Sequence, residues 1–202
     1  MAQRPPNPER RSARSQAAIL HAAYELCQQQ GYARLTIEGI AARAGVGKQT
    51  IYRWWPSKGA VLLDVFVDQI IARLDAADTG SPLDDLRRRV RATAEVLADA
   101  TIGPHIAGLV GDTQGDPLLA RELQQRLVAP ARAQHRELIC AAQSQGELRA
   151  DVDPDLVADT LFAPLWFRLL VTRAELSPSF ADNITDAVMT AWAQSRANGQ
   201  QL

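Results

Sequence analysis

The sequence has few cysteines and no long apolar run, and each shortage excludes a class of protein. Among 202 residues there are two cysteines, Cys27 and Cys140, far apart and each within an apolar helical pattern. We therefore expect buried, reduced thiols rather than a disulfide or a metal site. No apolar stretch approaches the roughly 18 residues of a membrane-spanning helix, and the N-terminal segment lacks the apolar core of a signal peptide. We expect a cytoplasmic protein with no membrane partner.

The sequence also lacks the motifs of catalysis and cofactor binding. Its three histidines, His21, His105 and His135, accompany no nucleophile elbow, P-loop or dinucleotide fingerprint. Three aspartates between 151 and 155 suggest a calcium loop, but the glycine and distal glutamate of an EF-hand are missing. Asp153 is better explained as a helix N-cap. We predict that the protein is not an enzyme and uses neither a cofactor nor a metal.

The small net charge conceals an uneven distribution along the chain. The formal charge is −1, from 22 basic and 23 acidic residues. Residues 1–60, here called the basic head, hold nine basic and three acidic residues, whereas the remainder holds 13 basic and 20 acidic ones. This asymmetry is typical of a phosphate-binding module joined to a body that does not bind nucleic acid. A solvated charged face is the alternative, and charge alone does not separate the two.

Apolar periodicity predicts helices along the chain, with no strand signal. Residues 1–11 are rich in proline and arginine and are predicted to form a flexible basic arm. Pro130 and Pro164 each fall inside a predicted helix and indicate a kink or a split, because proline cannot donate the backbone hydrogen bond. The predicted helices cover about residues 12–30, 36–45, 48–55, 57–77, 82–100, 103–113, 116–146, 154–175 and 178–197.

Two of these helices are short and are joined through Gly45-Val46-Gly47, a pattern typical of a helix-turn-helix. Thr36 is placed to cap the first, and Pro56 must end the second. The N-terminal end of a recognition helix faces base edges, where the amine of Lys48 suits guanine and the amide of Gln49 suits adenine. The predicted core positions are Ile37, Ile40, Ala41, Val46, Ile51 and Trp55, and the predicted outward positions are Lys48, Gln49, Thr50, Arg53 and Trp54.

The segment LTIEGIAARAGVGKQTIYRWWPSKGAVLLDVF resembles the N-terminal DNA-binding domain of the tetracycline-repressor (TetR) family of bacterial regulators. The resemblance covers roughly residues 14–66, whereas the rest agrees only in length and helical pattern. It implies an operator of double-stranded DNA as partner. The implied base contacts come from Lys48, Gln49 and Thr50, and the implied phosphate contacts come from Thr36, Tyr52, Trp54 and Lys58.

Several of these residues also have a purely structural interpretation. Thr36 is first a helix cap, Tyr52 is equally suited to a core aromatic, and Lys58 alone is a surface lysine. Trp54 stands where many family members have a smaller or more polar residue, so it either donates its indole N–H to phosphate or only packs.

The predicted fold is all-α. We expect an arm at 1–11, a three-helix helix-turn-helix DNA-binding domain at 12–56, and a larger helical effector-binding and dimerisation domain at 57–202. The resemblance implies a homodimer formed by the last two helices and a small-molecule effector held between body helices. Intramolecular packing is the alternative for all the candidates. These are Ile184, Val188, Ala191 and Trp192 for the dimer interface, and His105, Phe162, Trp166 and Phe167 for the effector.

The expected function is that of a bacterial, sequence-specific transcriptional regulator, a repressor that a small-molecule effector releases from a palindromic operator. The alternative is a helical ligand-binding or interaction protein whose basic head contacts an acidic partner other than DNA. A base-specific effect of substituting Lys48 or Gln49 would separate them, because a nonspecific basic patch loses affinity uniformly.

Overall fold

The computed structural model describes residues 8–74 and 79–193, without the side chains of residues 8–11. Within these ranges the chain is helical and has no strand beyond an isolated bridge between Leu148 and Ala193. The prediction of an all-α fold is confirmed. Over the described residues the α-helices are α1 (Pro8–Gln30), α2 (Ile37–Ala44), α3 (Lys48–Tyr52), α4 (Lys58–Leu74), α5 (Pro82–Ala98), α6 (Gly103–Thr113), α7 (Pro117–Leu123), α8 (Ala129–Ser144), α9 (Pro154–Phe167) and α10 (Pro178–Trp192).

The first helix begins at Pro8, four residues before its predicted start at Ser12. A proline is well placed there, because the first N–H groups of a helix have no intrahelical partner. Residues 8–11, which were predicted to belong to a flexible arm, therefore have a helical backbone. Residues 1–7 of that arm lie outside the described residues.

The cap at Thr36 follows the sequence prediction. The Thr36 side chain accepts the Gly39 N–H at 3.0 Å and begins α2. Gly45 ends α2 in the left-handed conformation, with φ of 66°, which glycine adopts without steric penalty. Ser57 Oγ likewise accepts the Ala60 N–H at 3.2 Å at the start of α4. These caps set the lengths of the helices around the turn.

The two internal prolines coincide with departures from regular α-helix. A π-helical segment, Gln124–Val128, separates α7 from α8, which has Pro130 in its first turn. Pro164 lies inside α9, and a second π-helical segment, Arg168–Thr172, begins four residues later. The wider turn before α8 accommodates the donor that Pro130 lacks, because the missing bond would go to residue 126 within that turn. The wider turn after α9 does not include residues 160–164, between which Pro164 lacks its bond. The helical backbone continues through both prolines, with the π-helical segment before Pro130 and after Pro164, so the predicted split is wrong at both and the predicted kink stays a prediction.

The chain forms two compact units, and the first comprises the described residues up to Gln69 together with Pro104–Leu123. Its interior is apolar, and α1 packs on α2, which packs on α3. The Tyr32 hydroxyl donates to Asp112 at 2.5 Å, while Gly108 lies against the Tyr32 ring, where a Cβ would approach within 2.5 Å. Fully buried side chains of this unit include Ile19, Leu35, Ile40, Ile51, Leu62, Leu63 and Phe66.

The second unit comprises Ile70–Gly103 and the described residues from Gln124 onward. In it α5 packs against α8, α9 and α10, and α8 packs against α9. Arg87 pairs with Asp186 at 2.6 Å on the surface of α5 and α10. Its interior combines apolar residues with buried polar ones. The buried polar side chains of this unit are Asp85, Arg89, Thr93, His135 and Thr185. The predicted domain division between residues 56 and 57 stays a prediction.

Candidate nucleic-acid interface

Helix α3 is fixed by one buried face and leaves the other face open. Ile51 is fully buried and Trp55, just beyond the helix, is 5% exposed. On the other face Lys48, Gln49 and Tyr52 are exposed. Burial of Ile51 and Trp55 stabilises the position of a helix that is too short to be stable alone. The result is a platform with outward hydrogen-bonding groups. Of the predicted outward positions, Lys48, Gln49 and Arg53 are exposed, whereas Thr50 and Trp54 are half-buried, as is Val46, which was predicted for the core.

Lys48 forms an ion pair that the sequence did not reveal. Its Nζ donates to Glu38 Oε1 at 3.0 Å, which joins the first turns of α3 and α2. The hydrogen bond with Lys48 holds the pKa of the Glu38 carboxyl below its usual range, and the same bond raises the pKa of Lys48. Both side chains are largely exposed, so water and salt weaken the pair. Lys48 is therefore available for exchange to another acceptor.

Tyr52 and Thr36 lie at the surface near this platform. Tyr52 is 52% exposed, so its interpretation as a core aromatic is wrong. Thr36 is exposed, and its hydroxyl is engaged as the α2 cap. An exposed helix N-terminus with free N–H groups attracts phosphate, so the cap and the predicted contact are compatible. Phosphate contacts from Thr36 and Tyr52 stay predictions.

Trp54 and its neighbours form a small aromatic group beyond α3. The half-buried Trp54 ring meets Trp55 edge to face at 5.7 Å, and the Arg53 guanidinium lies 4.6 Å from its centroid. The Trp55 indole N–H donates to Asp64 at 2.6 Å. Packing thus explains the position of Trp54, and its phosphate contact stays a prediction.

Lys58 is more than a surface lysine. It is half-buried, its Nζ donates to the Tyr32 carbonyl at 3.3 Å, and it lies 4.5 Å from the Tyr32 ring centroid. The interpretation of Lys58 as a plain surface residue is wrong, because the turn after α1 holds its ammonium group. Its phosphate contact stays a prediction.

The effector candidates fall in different units. His105 lies in the first unit, 5% exposed and stacked on Phe66 with ring centroids 5.8 Å apart. Burial lowers the pKa of His105. In the second unit, Phe162 stacks on His135 at 3.8 Å, Trp166 is half-buried, and Phe167 is 56% exposed. The effector role of all four candidates stays a prediction.

The dimer candidates on α10 also differ in exposure. Val188 is 5% exposed within its own chain, Ile184 and Trp192 are half-buried, and Ala191 is exposed. Four exposed large apolar side chains lie on α9 and the segment after it, a signal present in the sequence as leucines and aromatics at helical spacing. These are Leu156, Phe167, Leu170 and Val171.

The two cysteines lie in different environments. Cys27 is buried, and burial raises the pKa of its thiol to about 12. Cys140 is exposed on α8, so its predicted burial is wrong: its position faces away from the packed side of that helix. Among the described residues no cluster of three or more histidine, cysteine or carboxylate side chains is arranged to hold a metal ion. In the same part of the chain, no helix is long and apolar enough to cross a membrane.

Comparison with known proteins agrees with this geometry. The model for bacterial regulatory proteins of the tetR family matches residues 19–65, and the model for a tetracyclin repressor-like C-terminal domain matches residues 76–188. The HTH-type transcriptional regulator YdeS of Bacillus subtilis is 37% identical over 175 residues, which cover 87% of this chain and 86% of YdeS.

Two solved structures show the same fold. The TetR family transcription regulator SCO0332 is 34% identical, with a TM-score of 0.71 over 87% of this chain and 97% of that one. Thermus thermophilus FadR, solved in complex with lauroyl-CoA, has a TM-score of 0.73 at 23% identity, over 93% of this chain and 100% of its own.

The fold and the exposed α3 platform define a helix-turn-helix transcriptional regulator with a helical C-terminal domain. Within that class, the chain belongs to the TetR family of bacterial regulatory proteins, because family models match both parts of it and YdeS is similar along most of its length.

Proposed function

We propose that the protein is a bacterial, cytoplasmic repressor that binds a palindromic operator as a homodimer and is released by a small-molecule effector. The α3 platform carries this proposal. It presents Lys48, Gln49 and Tyr52 to solvent on a helix whose opposite face is buried. An exposed helix of this kind can enter a major groove with its N-terminal residues against base edges.

Each outward side chain on α3 has a chemistry that suits DNA. The Lys48 amine is a donor for the O6 and N7 acceptors of guanine, and the Gln49 amide pairs with the donor and acceptor of adenine. Thr50 adds a hydroxyl at the following position. Tyr52, Lys58, Trp54 and the capped start of α2 at Thr36 would contact phosphates, which fix register rather than read sequence.

A homodimer accounts for the exposed apolar side chains of α9. Leu156 and Phe167 are each more than half exposed, as is Val171 in the segment after α9, an unusual placement for large apolar groups on a monomer. Pairing with the same surface of a second copy would remove them from water, with Ala191 and Trp192 of α10 at the edge. A two-fold dimer would place two α3 helices on half-sites about 34–36 Å apart or a multiple of that distance.

The effector would act in the second unit, which the C-terminal family model covers. FadR of the same fold binds lauroyl-CoA, which supports a small-molecule site in a domain of this type. Helix α4 contains residues of both units. An effector that favours one position of this helix would change the distance between the two α3 helices of the dimer and weaken their match to the operator.

The test is operator selection from random duplex DNA at one stated salt concentration, since phosphate contacts make affinity depend on salt. Wild type is compared with Lys48→Ala and Gln49→Ala. The matched controls are Arg121→Ala and Gln114→Ala, which remove an exposed basic and an exposed amide side chain from α7 and the turn before it.

We expect wild type and both controls to enrich one palindromic sequence, and the two α3 variants to lose it or shift it at defined positions. An equal loss of affinity for all sequences in the α3 variants would indicate a nonspecific basic patch. Absence of enrichment by wild type at moderate salt would overturn the proposal.

A further inference from the structure

One face of α5 carries polar residues where a helix core is normally apolar. Asp85, Arg89 and Thr93 follow one another at four-residue spacing, which places them on the same side of the helix, and they are 8, 7 and 9% exposed. Burial of polar and charged groups is unfavourable without compensating interactions. Three such residues, each about one turn from the next, therefore indicate that this face has a role besides packing.

A cavity of about 470 Å³ opens beside this face, between α5 and α8. Its volume is within the roughly 300–1,000 Å³ typical of small-molecule sites. The wall is part polar and part apolar, and all of it belongs to the second unit. The lining residues include Asp85 and Arg89 of α5 and Gln134, Glu137, Leu138 and Ala141 of α8.

The carboxylate of Asp85 is already held by its own surroundings. It accepts the Thr79 N–H at 3.1 Å and the Thr79 hydroxyl at 2.6 Å, and Arg88 donates to it at 2.6 Å. These bonds, the Thr79 hydroxyl first, keep the pKa of Asp85 below its usual range despite burial. Asp85 thus stabilises the turn before α5. The second carboxylate of the lining, Glu137, is exposed, where water screens its charge.

Arg89 and Gln134 provide donors at the same wall. Arg89 Nη1 donates to Gln134 Oε1 at 2.7 Å, so the amide oxygen orients the guanidinium while the amide N–H groups of Gln134 remain a second donor. A guanidinium presents its N–H groups in a planar fork that matches the two oxygens of a carboxylate. Pro82, Leu138 and Ala141 add an apolar wall to this polar end.

His135, next to Gln134 on α8, is a further buried polar side chain near Arg89. It is 7% exposed, and its Nε2 has no hydrogen-bond partner in the described parts of the chain. Burial chiefly, with the charges of Arg89 and Arg132, lowers the pKa of His135 to about 3. The ring is neutral at pH 7 and adds no charge to the interior near Arg89.

We propose that this cavity binds the carboxylate of a small organic acid, with Arg89 as its anchor, Gln134 as a second donor, and the apolar wall holding the hydrocarbon part. The inference deepens the proposed function, on which it rests, because such an acid would be the effector class. It places the recognition of the ligand's charge on α5 and α8.

The test measures binding of matched acids and amides to the full-length protein without DNA, by isothermal titration calorimetry. The probes are 4-phenylbutyrate with 4-phenylbutanamide, and octanoate with octanamide. Within at least one pair we expect the acid to bind about tenfold more tightly, since a hydrogen bond to a charged partner exceeds a neutral one. No preference for the acid in either pair would overturn the inference.

Three variants assign the preference to residues. Arg89→Gln should abolish the advantage of the acid, and Gln134→Leu should reduce it. Arg91→Gln is the matched control, because Arg91 lies on the same helix, is exposed, and pairs with Asp182 instead. Since Arg89→Gln changes a buried site, circular dichroism must first show native helicity. If that variant does not fold, Gln134→Leu, at an exposed position, decides the question.

The same probes are then added to the protein bound to its selected operator. Acid binding through Arg89 without operator release would keep this site and overturn the effector step of the proposed function. Operator selection with no preference for acids would keep the DNA-binding proposal and overturn this inference. An acid preference that survives in both Arg89→Gln and Gln134→Leu would also overturn it.

Discussion

The two compact units bury different kinds of side chain. In the described residues of the first unit, the buried side chains are apolar or aromatic except for His105, and hydrogen-bonding groups such as Lys48 and Gln49 lie outside. The second unit buries Arg89 and His135 together with three more polar residues. An apolar interior holds an outer surface rigid, whereas a polar interior beside a cavity suits ligand binding. The difference indicates that the first unit has its candidate binding groups on the surface, whereas the second unit has them in its interior.

The largest expected effect tests whether the exposed face of α3 depends on the apolar interior beneath it. Ile51→Ala removes a fully buried side chain from α3 and should lower the free energy of unfolding by about 2–5 kcal/mol, through lost burial and the cavity it leaves. Denaturant unfolding followed by circular dichroism measures it.

Gln49→Ala is the control for Ile51→Ala, two positions away on the exposed face. It should change stability by no more than about 0.5 kcal/mol while altering operator selection. A similar loss of stability in both variants would mean that α3 has no separate buried and reading faces.

For the second unit, the test is whether its buried histidine makes the free energy of unfolding depend on pH. Burial lowers the pKa of His135 to about 3, below the value of roughly 6.5 in an unfolded chain. On acidification, His135 therefore binds a proton in the unfolded state before it does so in the folded state. Its contribution to the free energy of unfolding is fully present above about pH 6.5 and is lost as the pH falls toward 3. Between pH 7 and pH 5 this residue should remove about 2 kcal/mol.

Denaturant unfolding at both pH values measures the effect, with His135→Gln compared to wild type. The variant should lose about that much less stability on acidification. His21→Gln, at an exposed histidine, should behave as wild type. If wild type and His135→Gln lose the same free energy of unfolding on acidification, water hydrates the interior beside Arg89.

The sequence was more informative about the first unit than about the second. Thr36, Gly45 and Pro56 mark helix ends by local chemistry, so the helix-turn-helix and its buried face could be predicted from neighbouring residues. The polar face of α5 could not, because Arg87, Arg88 and Arg89 are identical in sequence and only packing against α8 selects the third for burial.

The same limit applies to contacts between distant residues. The pairs Lys48 with Glu38 and Tyr32 with Asp112 join separate elements, and no local pattern announces them. Cys140 shows the converse error: an apolar helical pattern predicted burial, but the side of α8 on which it stands faces solvent. Helix periodicity gives a face only to within a position or two, which is too coarse for a single residue.

The units also differ in exposed apolar surface, which in the second unit includes four large side chains on α9 and the segment after it. Phe167→Glu places a charge among these side chains and should weaken dimerisation about tenfold, equivalent to 1.4 kcal/mol, if a second copy covers them. Sedimentation velocity over a concentration series measures the change. Leu118→Glu, at an equally exposed apolar residue of α7 in the first unit, is the matched control. Equal effects of both, or none of either, would move the interface elsewhere.

The smallest expected effect concerns the ion pair between Lys48 and Glu38 in the first unit. Glu38 holds Lys48 at 3.0 Å in the free protein, and this pair must open when Lys48 turns to DNA. Glu38 also repels phosphates by its charge. Glu38→Gln should therefore tighten binding to random DNA by about two- to fivefold, since exposed pairs are weak. Fluorescence anisotropy of a labelled duplex at several salt concentrations measures it.

Glu25→Gln separates the local effect of Glu38 from the change in net charge. Glu25 also pairs with a cation of the first unit, Arg43, at 3.0 Å, and lies 3.6 Å from His21, so both variants lose one negative charge and the ion pairing of one carboxylate. Because Arg43 is not among the predicted DNA contacts, Glu25→Gln should change affinity less and leave discrimination between operator and random DNA intact. Glu38→Gln should narrow that discrimination, because Lys48 is then free to bind any phosphate. The same gain in both variants would reduce the role of Glu38 to its charge alone.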